Sequence, residues 1–432
     1  MAAQSCVTEA AAPTIRLSHP WVVLLTLLAI SIFNFADRYL LTGLVGPIKQ
    51  EFALGDGTIG LLMGPAFVVL YLAAGVPIAR LADRTSRVKI IAAGCLLWSL
   101  ATAATSLATG PVTLALARVG VGIGEAAFAA PAYSLLTDYF RPERRAFAFA
   151  VLGLATYIGQ IVGQGGGPAL AEALGSWRAA FVTMGIPGIV LAIAALMLIR
   201  EPHRGTGPVR AAVPFGQLVR LLLGTRSYVL MALAFGLGVM SGVAFGYWGP
   251  ELFTRLHALD PVEVKGAFAV YFGGAGMIGM LMFGALADRM ARRGPAWPLL
   301  LAGGALAAAT AAVLAAIWAP DFGTAKLLAI PSGLLGGGWS VGFMAVLQPM
   351  MPTRFRASAT ALFMAFTTLL GFLVGPWLAG ALSEALGDDA SGLRLALSLV
   401  VPAGFAAALI ALMAARTLAQ DIERLRHADE GQ

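Results

Sequence analysis

The sequence predicts an all-α membrane protein with twelve transmembrane helices arranged as two six-helix bundles. Of its 432 residues, 59% are hydrophobic and 12% are charged, whereas soluble domains carry about 25% charged residues. The apolar residues fall in runs of about 20 or more, long enough to span a hydrocarbon core of about 30 Å. The tetrapeptide Leu-Ala-Asp-Arg occurs at residues 81–84 and again at 286–289, which indicates that one bundle is a duplicate of the other.

The apolar runs give the order of the helices and the division of the chain. The predicted helices cover residues 21–47, 57–80, 88–107, 111–137, 146–172, 176–199, 226–253, 262–287, 295–318, 322–350, 357–386 and 392–417. The first run is too long for a signal peptide and is therefore predicted to be an uncleaved helix. The longest internal polar stretch is rich in proline and glycine and is predicted to be a linker. The segments are a tail (1–20), a first bundle (21–199), the linker (200–225), a second bundle (226–417) and a tail (418–432).

The basic residues predict the orientation in the membrane. With both termini in the cytoplasm, 21 of the 29 lysines and arginines lie in cytoplasmic segments, as the positive-inside rule requires. Six lie outside and two within helices: Lys49, Arg178, Arg255, Lys265, Lys326 and Arg394, and Arg38 and Arg118. The net charge of +7 is thus explained by topology, so no nucleic-acid partner is predicted. Arginine outnumbers lysine 25 to 4 and the loops are short, which favours a multi-pass protein of a bacterial inner membrane.

The repeated charged loop resembles a signature of the major facilitator superfamily. Residues 79–87 read Ala-Arg-Leu-Ala-Asp-Arg-Thr-Ser-Arg, with Ala79 and Ser86 where glycines are usual, and residues 284–293 are a second copy that keeps its first glycine. The resemblance covers about residues 20–417 and implies the major facilitator fold. In that family such charges form cytoplasmic clusters that hold the outward-open state. It therefore implies gating roles for Asp83, Arg84, Arg87, Arg144, Asp288, Arg289 and Arg354. The alternative is that they only anchor the helix ends at the cytoplasmic side.

A narrower resemblance is to the spinster-like lipid transporters. It rests on Asn34-Phe-Ala-Asp37-Arg38-Tyr39, on Arg118-Val-Gly-Val-Gly-Ile-Gly-Glu125 and on Tyr247-Trp248-Gly249-Pro250. It implies a lysophospholipid or a sphingosine-phosphate-like lipid as substrate. The glycine-rich helix 5 also resembles the superfamily's antiporter motif, except that Gln164 stands where that motif has proline.

Four ionisable residues lie well inside predicted helices: Asp37, Arg38, Arg118 and Glu125. Such groups are expensive in hydrocarbon and should face a cavity or one another. Arg38 and Arg118, with Asn34, are predicted to bind an anionic head group, because a guanidinium fork matches phosphate or carboxylate. Asp37 and Glu125 are predicted to carry protons, because burial and a nearby arginine shift a carboxyl pKa in opposite directions. Asp37 lies about 100° around helix 1 from Arg38. The alternative is a structural ion-pair network without a coupling role.

The carboxy-terminal half supplies aromatic residues instead of charges at its inward-lining positions. Tyr247, Trp248, Trp339 and Phe343 are predicted to contact the apolar part of the substrate. Ordinary helix packing explains aromatic residues equally well. A cavity that is charged on one side and aromatic on the other suits an anionic amphiphile.

Other chemistries find little support in the sequence. No Walker A sequence and no Cys/His cluster is present, so neither a cofactor nor a metal is predicted. Gly338-Trp-Ser340-Val-Gly342 matches a nucleophile elbow but lies inside an apolar helix, where the required strained turn is absent. The predicted function is a monomeric, proton-coupled secondary transporter of an anionic amphiphile by alternating access, whose partners are its substrate, protons and the lipid bilayer. The alternatives are an organic-anion or drug carrier of the same superfamily and, from another class, an intramembrane lipid-modifying enzyme.

Overall fold

A computed structural model of the chain describes residues 18–202, 215–352 and 355–430. Twelve helices in these residues are long and apolar enough to span a membrane, which confirms the predicted fold class. They are α1 (Pro20–Gly43), α2 (Asp56–Ala82), α3 (Arg87–Leu107), α4 (Pro111–Tyr139), α5 (Glu143–Ala173), α6 (Trp177–Leu198), α7 (Arg226–His257), α8 (Pro261–Ala291), α9 (Trp297–Ile317), α10 (Phe322–Met350), α11 (Ser358–Ala385) and α12 (Ala390–Leu425).

Polar side chains cap the amino-terminal ends of several helices. The Ser86 hydroxyl accepts a hydrogen bond from the Lys89 amide at the start of α3 (3.3 Å), and the Asp321 carboxylate accepts one from the Thr324 amide at the start of α10 (2.9 Å). These side chains satisfy amide groups that the helix itself leaves free. The helix ends therefore stay fixed where the chain leaves the apolar region.

The two halves of the chain pack in the same pattern. In the amino-terminal half (α1–α6), α1 contacts α5 and α6, α2 contacts α4, and α3 contacts α6. In the carboxy-terminal half (α7–α12), α7 contacts α11 and α12, α8 contacts α10, and α9 contacts α12. Every one of these pairs recurs with an offset of six helices, as expected for a parallel duplication.

Contacts between the halves run along two matching helix pairs, α2 with α11 and α5 with α8. They are densest at the end of the molecule that carries Lys49, Asp56 and Arg255, called the outer end below. A Cβ atom on Gly60 would lie 2.7 Å from the Pro376 carbonyl oxygen, and one on Gly64 would lie 2.6 Å from that of Leu373. Glycine thus allows α2 and α11 to approach closely there. Helices α5, α8 and α11 each contain a π-helical turn, at Ile161–Gly165, Ala269–Gly274 and Leu369–Val374.

Two segments differ from the sequence-based boundaries. The last helix was expected to end near residue 417 but continues beyond the membrane-spanning range of α12 to Glu430, and Leu418 and Leu425 on this extension are buried. Asp421, only 4% exposed, accepts a hydrogen bond from the Ser227 amide (2.7 Å) at the start of α7. Within the linker, Phe215–Gly224 forms a helix with two leucines buried against the carboxy-terminal half. Residues 203–214 of the linker lie outside the described residues.

Candidate functional site

A buried ion pair joins α1 to α4 in the centre of the amino-terminal half. The Arg38 Nε atom lies 2.5 Å from Glu125 Oε2, and the two side chains are 12% and 0% exposed. The other carboxylate oxygen of Glu125 has no hydrogen-bond donor among the described residues. Glu125 therefore neutralises Arg38 through one oxygen, and the Asn34 side-chain amide lies close enough to stabilise its ionised form.

Aromatic rings from α1 and α2 surround the Arg38 guanidinium. Its Cζ atom lies 4.7 Å from the ring centroid of Phe67, 5.1 Å from that of Phe35 and 5.2 Å from that of Tyr71. Cations are attracted to ring faces at such distances, and more strongly where water is excluded. The rings fix the position of Arg38 and leave Glu125 as its one carboxylate partner within 4.0 Å in the described residues.

Arg118 occupies the same region without a carboxylate partner. Its residue is 3% exposed and its Cζ atom lies 5.3 Å from the Phe67 centroid. Its Nε atom is buried and has no hydrogen-bond partner, and no carboxylate oxygen lies within 4.0 Å of it among the described residues. Because an unpaired buried charge is unfavourable, this guanidinium is suited to receive an anion.

Asp37 faces another direction from its neighbour Arg38. Its Oδ2 atom accepts a hydrogen bond from the Thr102 hydroxyl on α3 (2.9 Å), and the residue is 2% exposed. The divergence follows from the turn of about 100° per residue in an α-helix. Asn34, also buried, has a side-chain amide nitrogen without an acceptor in the described residues. Arg38, Arg118 and Glu125 therefore come together, whereas Asp37 lies on the α3 side of α1.

The aromatic residues predicted to contact the substrate occupy two different surroundings. Tyr247 packs edge-on against Tyr39 across the two halves, with centroids 5.4 Å apart. Trp248 is fully buried and donates to the Pro376 carbonyl oxygen (2.9 Å). Trp339 and Phe343 pack against Phe235, at centroid distances of 4.9 and 5.5 Å. In this conformation Tyr247 adjoins the charged residues, and the other three lie in packed interior.

A charged network that sequence reasoning missed links the halves at the outer end. Arg255 of α7 donates to both carboxylate oxygens of Asp56 at the start of α2 (2.7 and 2.9 Å). Lys49 bonds both Asp56 and Asp388 at 2.7 Å, and the Ser383 hydroxyl donates to Asp56 (2.6 Å). Asp56 is completely buried. Such a bidentate, fully hydrogen-bonded arrangement is the strong form of an ion pair.

The outer network continues inward to a buried lysine. Lys265 of α8, 1% exposed, lies 2.9 Å from Glu251 and donates to the carbonyl oxygen of Gly43 at the end of α1 (3.0 Å). A cation is favourable at a helix carboxyl end. The sequence did contain one signal for this network. Three of the basic residues placed outside, against the positive-inside rule, are those that form its ion pairs: Lys49, Arg255 and Lys265.

At the opposite end, Arg87 is the buried centre of a cluster within the amino-terminal half. It bonds Glu201 (2.7 Å), Asp138 (2.6 Å) and the Ser134 hydroxyl (2.8 Å). Burial alone would raise the pKa of Glu201, but hydrogen bonds from the Val88 amide, Arg87 and Ser86 outweigh it and lower that pKa. The cluster ties α3, α4 and the chain after α6 into one unit.

The other residues predicted to gate lie on the surface or outside the described part. Arg84, Arg144, Asp288 and Arg289 are exposed. Asp288 and Arg289 line a surface cleft of about 660 Å³ with Arg292 and Arg293. The Asp83 side chain and all of Arg354 lie outside what is described. Within 18–202, 215–352 and 355–430, no group of three or more His, Cys, Asp or Glu side chains is arranged to hold a metal ion.

Comparison with known proteins identifies a family and a set of relatives. The Major Facilitator Superfamily pattern matches residues 27–372. An MFS-type efflux pump of Mycolicibacterium smegmatis is 33% identical over 395 residues, which cover 89% of each chain. Protein spinster of Drosophila melanogaster is 29% identical over 85% of this chain and 62% of its own, and the sphingosine-1-phosphate transporter SPNS2 of Danio rerio is 28% identical over 83% and 75%.

A solved structure gives the same result for the fold. A crystal structure of a bacterial homolog of the human lysosomal transporter spinster, inward-facing and unoccupied, matches 93% of this chain and 98% of its own with a TM-score of 0.83 and 26% identity. The relatives whose names state an activity are transporters, so the lipid-modifying enzyme considered from the sequence is set aside.

Proposed function

Because the chain belongs to the major facilitator superfamily, it is a membrane transporter, and we propose that it moves an anionic amphiphile by proton-coupled alternating access. It is a multi-pass protein of the bacterial inner-membrane type. Both termini are assigned to the cytoplasm, because this puts 21 of the 29 basic residues inside. The working unit is a monomer in which bundles 21–199 and 226–417 are joined by the linker 200–225, with tails 1–20 and 418–432.

The observation that carries the proposal is the unpaired Arg118 beside the paired Arg38. Two guanidinium groups and one carboxylate, Glu125, share one buried region. A phosphate or carboxylate head group would complete the charge balance and could be held bidentately. The side-chain amide of Asn34, which lies beside Glu125, offers a further donor.

Proton coupling follows from competition for Arg38. The ionised Glu125 and an anionic head group cannot both accept hydrogen bonds from the same N–H edge of this guanidinium. Protonation of Glu125 releases Arg38 for the anion, so the proton and the anion bind together. Asp37 is a second proton-carrying candidate, since it is buried and one of its carboxylate oxygens has no donor in the described residues.

An apolar substrate tail is supported by the aromatic surroundings of the site and by the relatives. Tyr247 lies on the carboxy-terminal side of the charged residues, and Trp248, Trp339 and Phe343 are candidates for tail contacts when the halves rearrange. A sphingosine-1-phosphate transporter is among the relatives. This supports a lysophospholipid or a sphingosine-phosphate-like lipid as the substrate.

A second candidate function is that of an organic-anion or drug carrier. The relative with 33% identity is named an efflux pump. Such a carrier would use the same two arginines but would need no long apolar tail. The length of the substrate's tail therefore separates the two candidates.

Transport into proteoliposomes tests the proposal. Lysophosphatidylglycerol is the probe, because its phosphodiester keeps one negative charge across the working pH range. We expect wild-type protein to move it chemically unchanged and glycerophosphoglycerol, the same phosphodiester without the acyl chain, to compete poorly. Arg118→Gln should lose uptake by roughly tenfold or more, as expected on losing a charge-assisted contact. Arg178→Gln, which alters an outer-end arginine bonded to Glu51, is the matched control and should retain uptake.

The coupling part of the proposal has its own readout. Asp37→Asn and Glu125→Gln should abolish the response of uptake to an imposed pH gradient. If both variants respond as the wild type does, proton coupling through these residues is refuted. If glycerophosphoglycerol competes as well as the lysolipid, the proposed amphiphilic substrate is wrong and the organic-anion carrier is favoured.

A further inference from the structure

The backbone of α7 contains a carbonyl group that its own helix cannot satisfy. Pro250 lies inside α7 and has no amide hydrogen, so the carbonyl of Gly246, four residues earlier, has no intrahelical donor. Gly246 is buried. A buried carbonyl without a donor is costly, so the source of its hydrogen bond matters.

The donor comes from the other half of the molecule. Nε2 of Gln164, on the π-helical turn of α5, donates to the Gly246 carbonyl oxygen (2.9 Å) and to the Thr42 hydroxyl oxygen (3.0 Å). Its side-chain oxygen accepts from Nε2 of Gln160 (3.0 Å). The Gln164 amide must have this orientation, with Nε2 towards Gly246, because a backbone carbonyl oxygen can only accept a hydrogen bond.

Close packing fixes Gln164 at this position. The residue is completely buried. A Cβ atom on Gly43 would lie 3.0 Å from the Gln164 carbonyl oxygen, so α1 and α5 are as close as a glycine allows. With both amide hydrogens and the amide oxygen in use, the side chain is held towards α7. Of its three bonds, the one to Gly246 crosses between the halves, and those to Thr42 and Gln160 do not.

We propose that Gln164 is a positioning residue. It stabilises the conformation that is closed at the outer end by donating the hydrogen bond that the Gly246 carbonyl lacks within its own helix. The proposal rests on the alternating access proposed above. When the halves separate at the outer end, the bond breaks, and water entering the opening can hydrate the carbonyl. The bond therefore favours one conformation over the other. It also gives a role to the glutamine that occupies the proline position of the antiporter-like motif.

The test measures the ratio of the two conformations by electron–electron distance measurements between spin labels. Labels are attached at the exposed positions Gln50→Cys and Glu263→Cys, one on each half at the outer end, after Cys6 and Cys95 are replaced by alanine. In Gln164→Leu the Gly246 carbonyl loses its hydrogen-bond donor in the closed conformation, whereas water still supplies one in the open conformation. The closed-to-open ratio should therefore fall by roughly fivefold. Gln164→Met serves as a second variant if leucine is not tolerated.

Pro250→Ala provides the decisive background. Alanine supplies an amide hydrogen to Gly246 in both conformations, so Gln164→Leu should then change the ratio much less. Thr42→Val removes a bond made within one half and should leave the ratio close to that of wild type. A purely structural role for Gln164 would not produce this dependence on residue 250.

Two results would overturn the proposal in different ways. If wild type shows both conformations but Gln164→Leu leaves the ratio unchanged, or shifts it equally in both backgrounds, the role of Gln164 is refuted. If the labels report a single outer-end distance in every variant and condition, alternating access itself fails.

Discussion

Arg38 and Arg118 lie in one buried region, yet they differ in their partners. Two opposite charges 4 Å apart attract by about 4 kcal/mol at an effective dielectric constant of 20, so Glu125 and a substrate anion are comparable competitors for Arg38. Arg118 has no carboxylate within 4.0 Å in the described residues and is available to the anion from the start. In the proposed mechanism, Arg118 provides a constant attraction for the anion, and the attraction of Arg38 depends on the protonation of Glu125.

The residue-scale prediction concerns Glu125→Gln. This variant mimics the protonated acid, so it should bind lysophosphatidylglycerol as tightly as wild type with a protonated Glu125 does, with little pH dependence. Wild-type binding should strengthen by roughly tenfold as the pH falls and Glu125 takes up its proton. Titration in lipid nanodiscs measures both. If Glu125→Gln binds the lipid more weakly than wild type at every pH, the proposed exchange of the Glu125 carboxylate for the substrate anion at Arg38 is contradicted.

The sequence contained the identities of these charged residues but not their pairing. Four ionisable residues in apolar helices were conspicuous, and helical periodicity already separated Asp37 from Arg38. Which arginine pairs with Glu125 depends on how α1 and α4 are rotated against each other. The bond from Asp37 to Thr102 also requires the position of α3.

At the scale of elements, the end of α6 is fastened to the start of α3. Glu201 accepts hydrogen bonds from the Val88 amide (3.0 Å), the Ser86 hydroxyl (2.9 Å) and Arg87 (2.7 Å). The carboxylate lies at the amino end of α3, where a negative charge is favourable. It therefore holds the start of the linker to the amino-terminal half.

Glu201→Gln should lower the stability of the protein by about 1–2 kcal/mol at neutral pH, because the buried Arg87 loses a charged partner. The pKa of Glu201 is lowered in the folded protein, so its contribution is present above the usual value of 4.5 and is lost as the pH falls through the lower folded value. Melting temperatures of wild type and variant should therefore converge in acid. Glu172→Gln, at an exposed position, is the control; a gap that persists or widens in acid would contradict the assignment.

The twelve helices were predictable from the apolar runs, but the extension of α12 and the outer network were not. The last eight or so residues of α12 look like a polar tail in the sequence, and only the packing of Leu418 and Leu425 explains their helix. The outer network joins residues such as Lys49 and Asp388 that are far apart in the chain. Periodicity carries no information about which distant loops meet.

At the scale of the whole molecule, the closed outer end defines the conformation. Asp56 receives Arg255, Lys49 and Ser383, and Lys265 and Gln164 add bonds between the halves below it. In the orientation proposed above, this network lies at the outer face of the membrane; the bacterial spinster homolog of similar fold was solved in an inward-facing conformation. Opening requires all of these bonds to break together, so the outer network is expected to set the balance between states.

Asp56→Asn should shift that balance, because removal of one partner leaves buried cations unpaired in the closed state. The fraction of long distances between labels at Gln50→Cys and Glu263→Cys should rise several-fold. Asp321→Asn alters an outer-end carboxylate that accepts hydrogen bonds from the Thr324 amide and hydroxyl of its own half and is the matched control. An unchanged distance distribution in Asp56→Asn would show that the outer network does not set the balance between the conformations.

The most direct test of proton-coupled alternating access adds a second label pair at the other end, Lys89→Cys with Arg293→Cys. The two pairs are measured in nanodiscs at about pH 8 and about pH 5.5, with and without lysophosphatidylglycerol. Proton-coupled alternating access predicts opposite changes at the two ends, one distance lengthening as the other shortens, in response to the lipid and the proton together. It also predicts that Glu125→Gln loses the pH response. Distances that stay constant at both ends, or that change at one end alone, would contradict it.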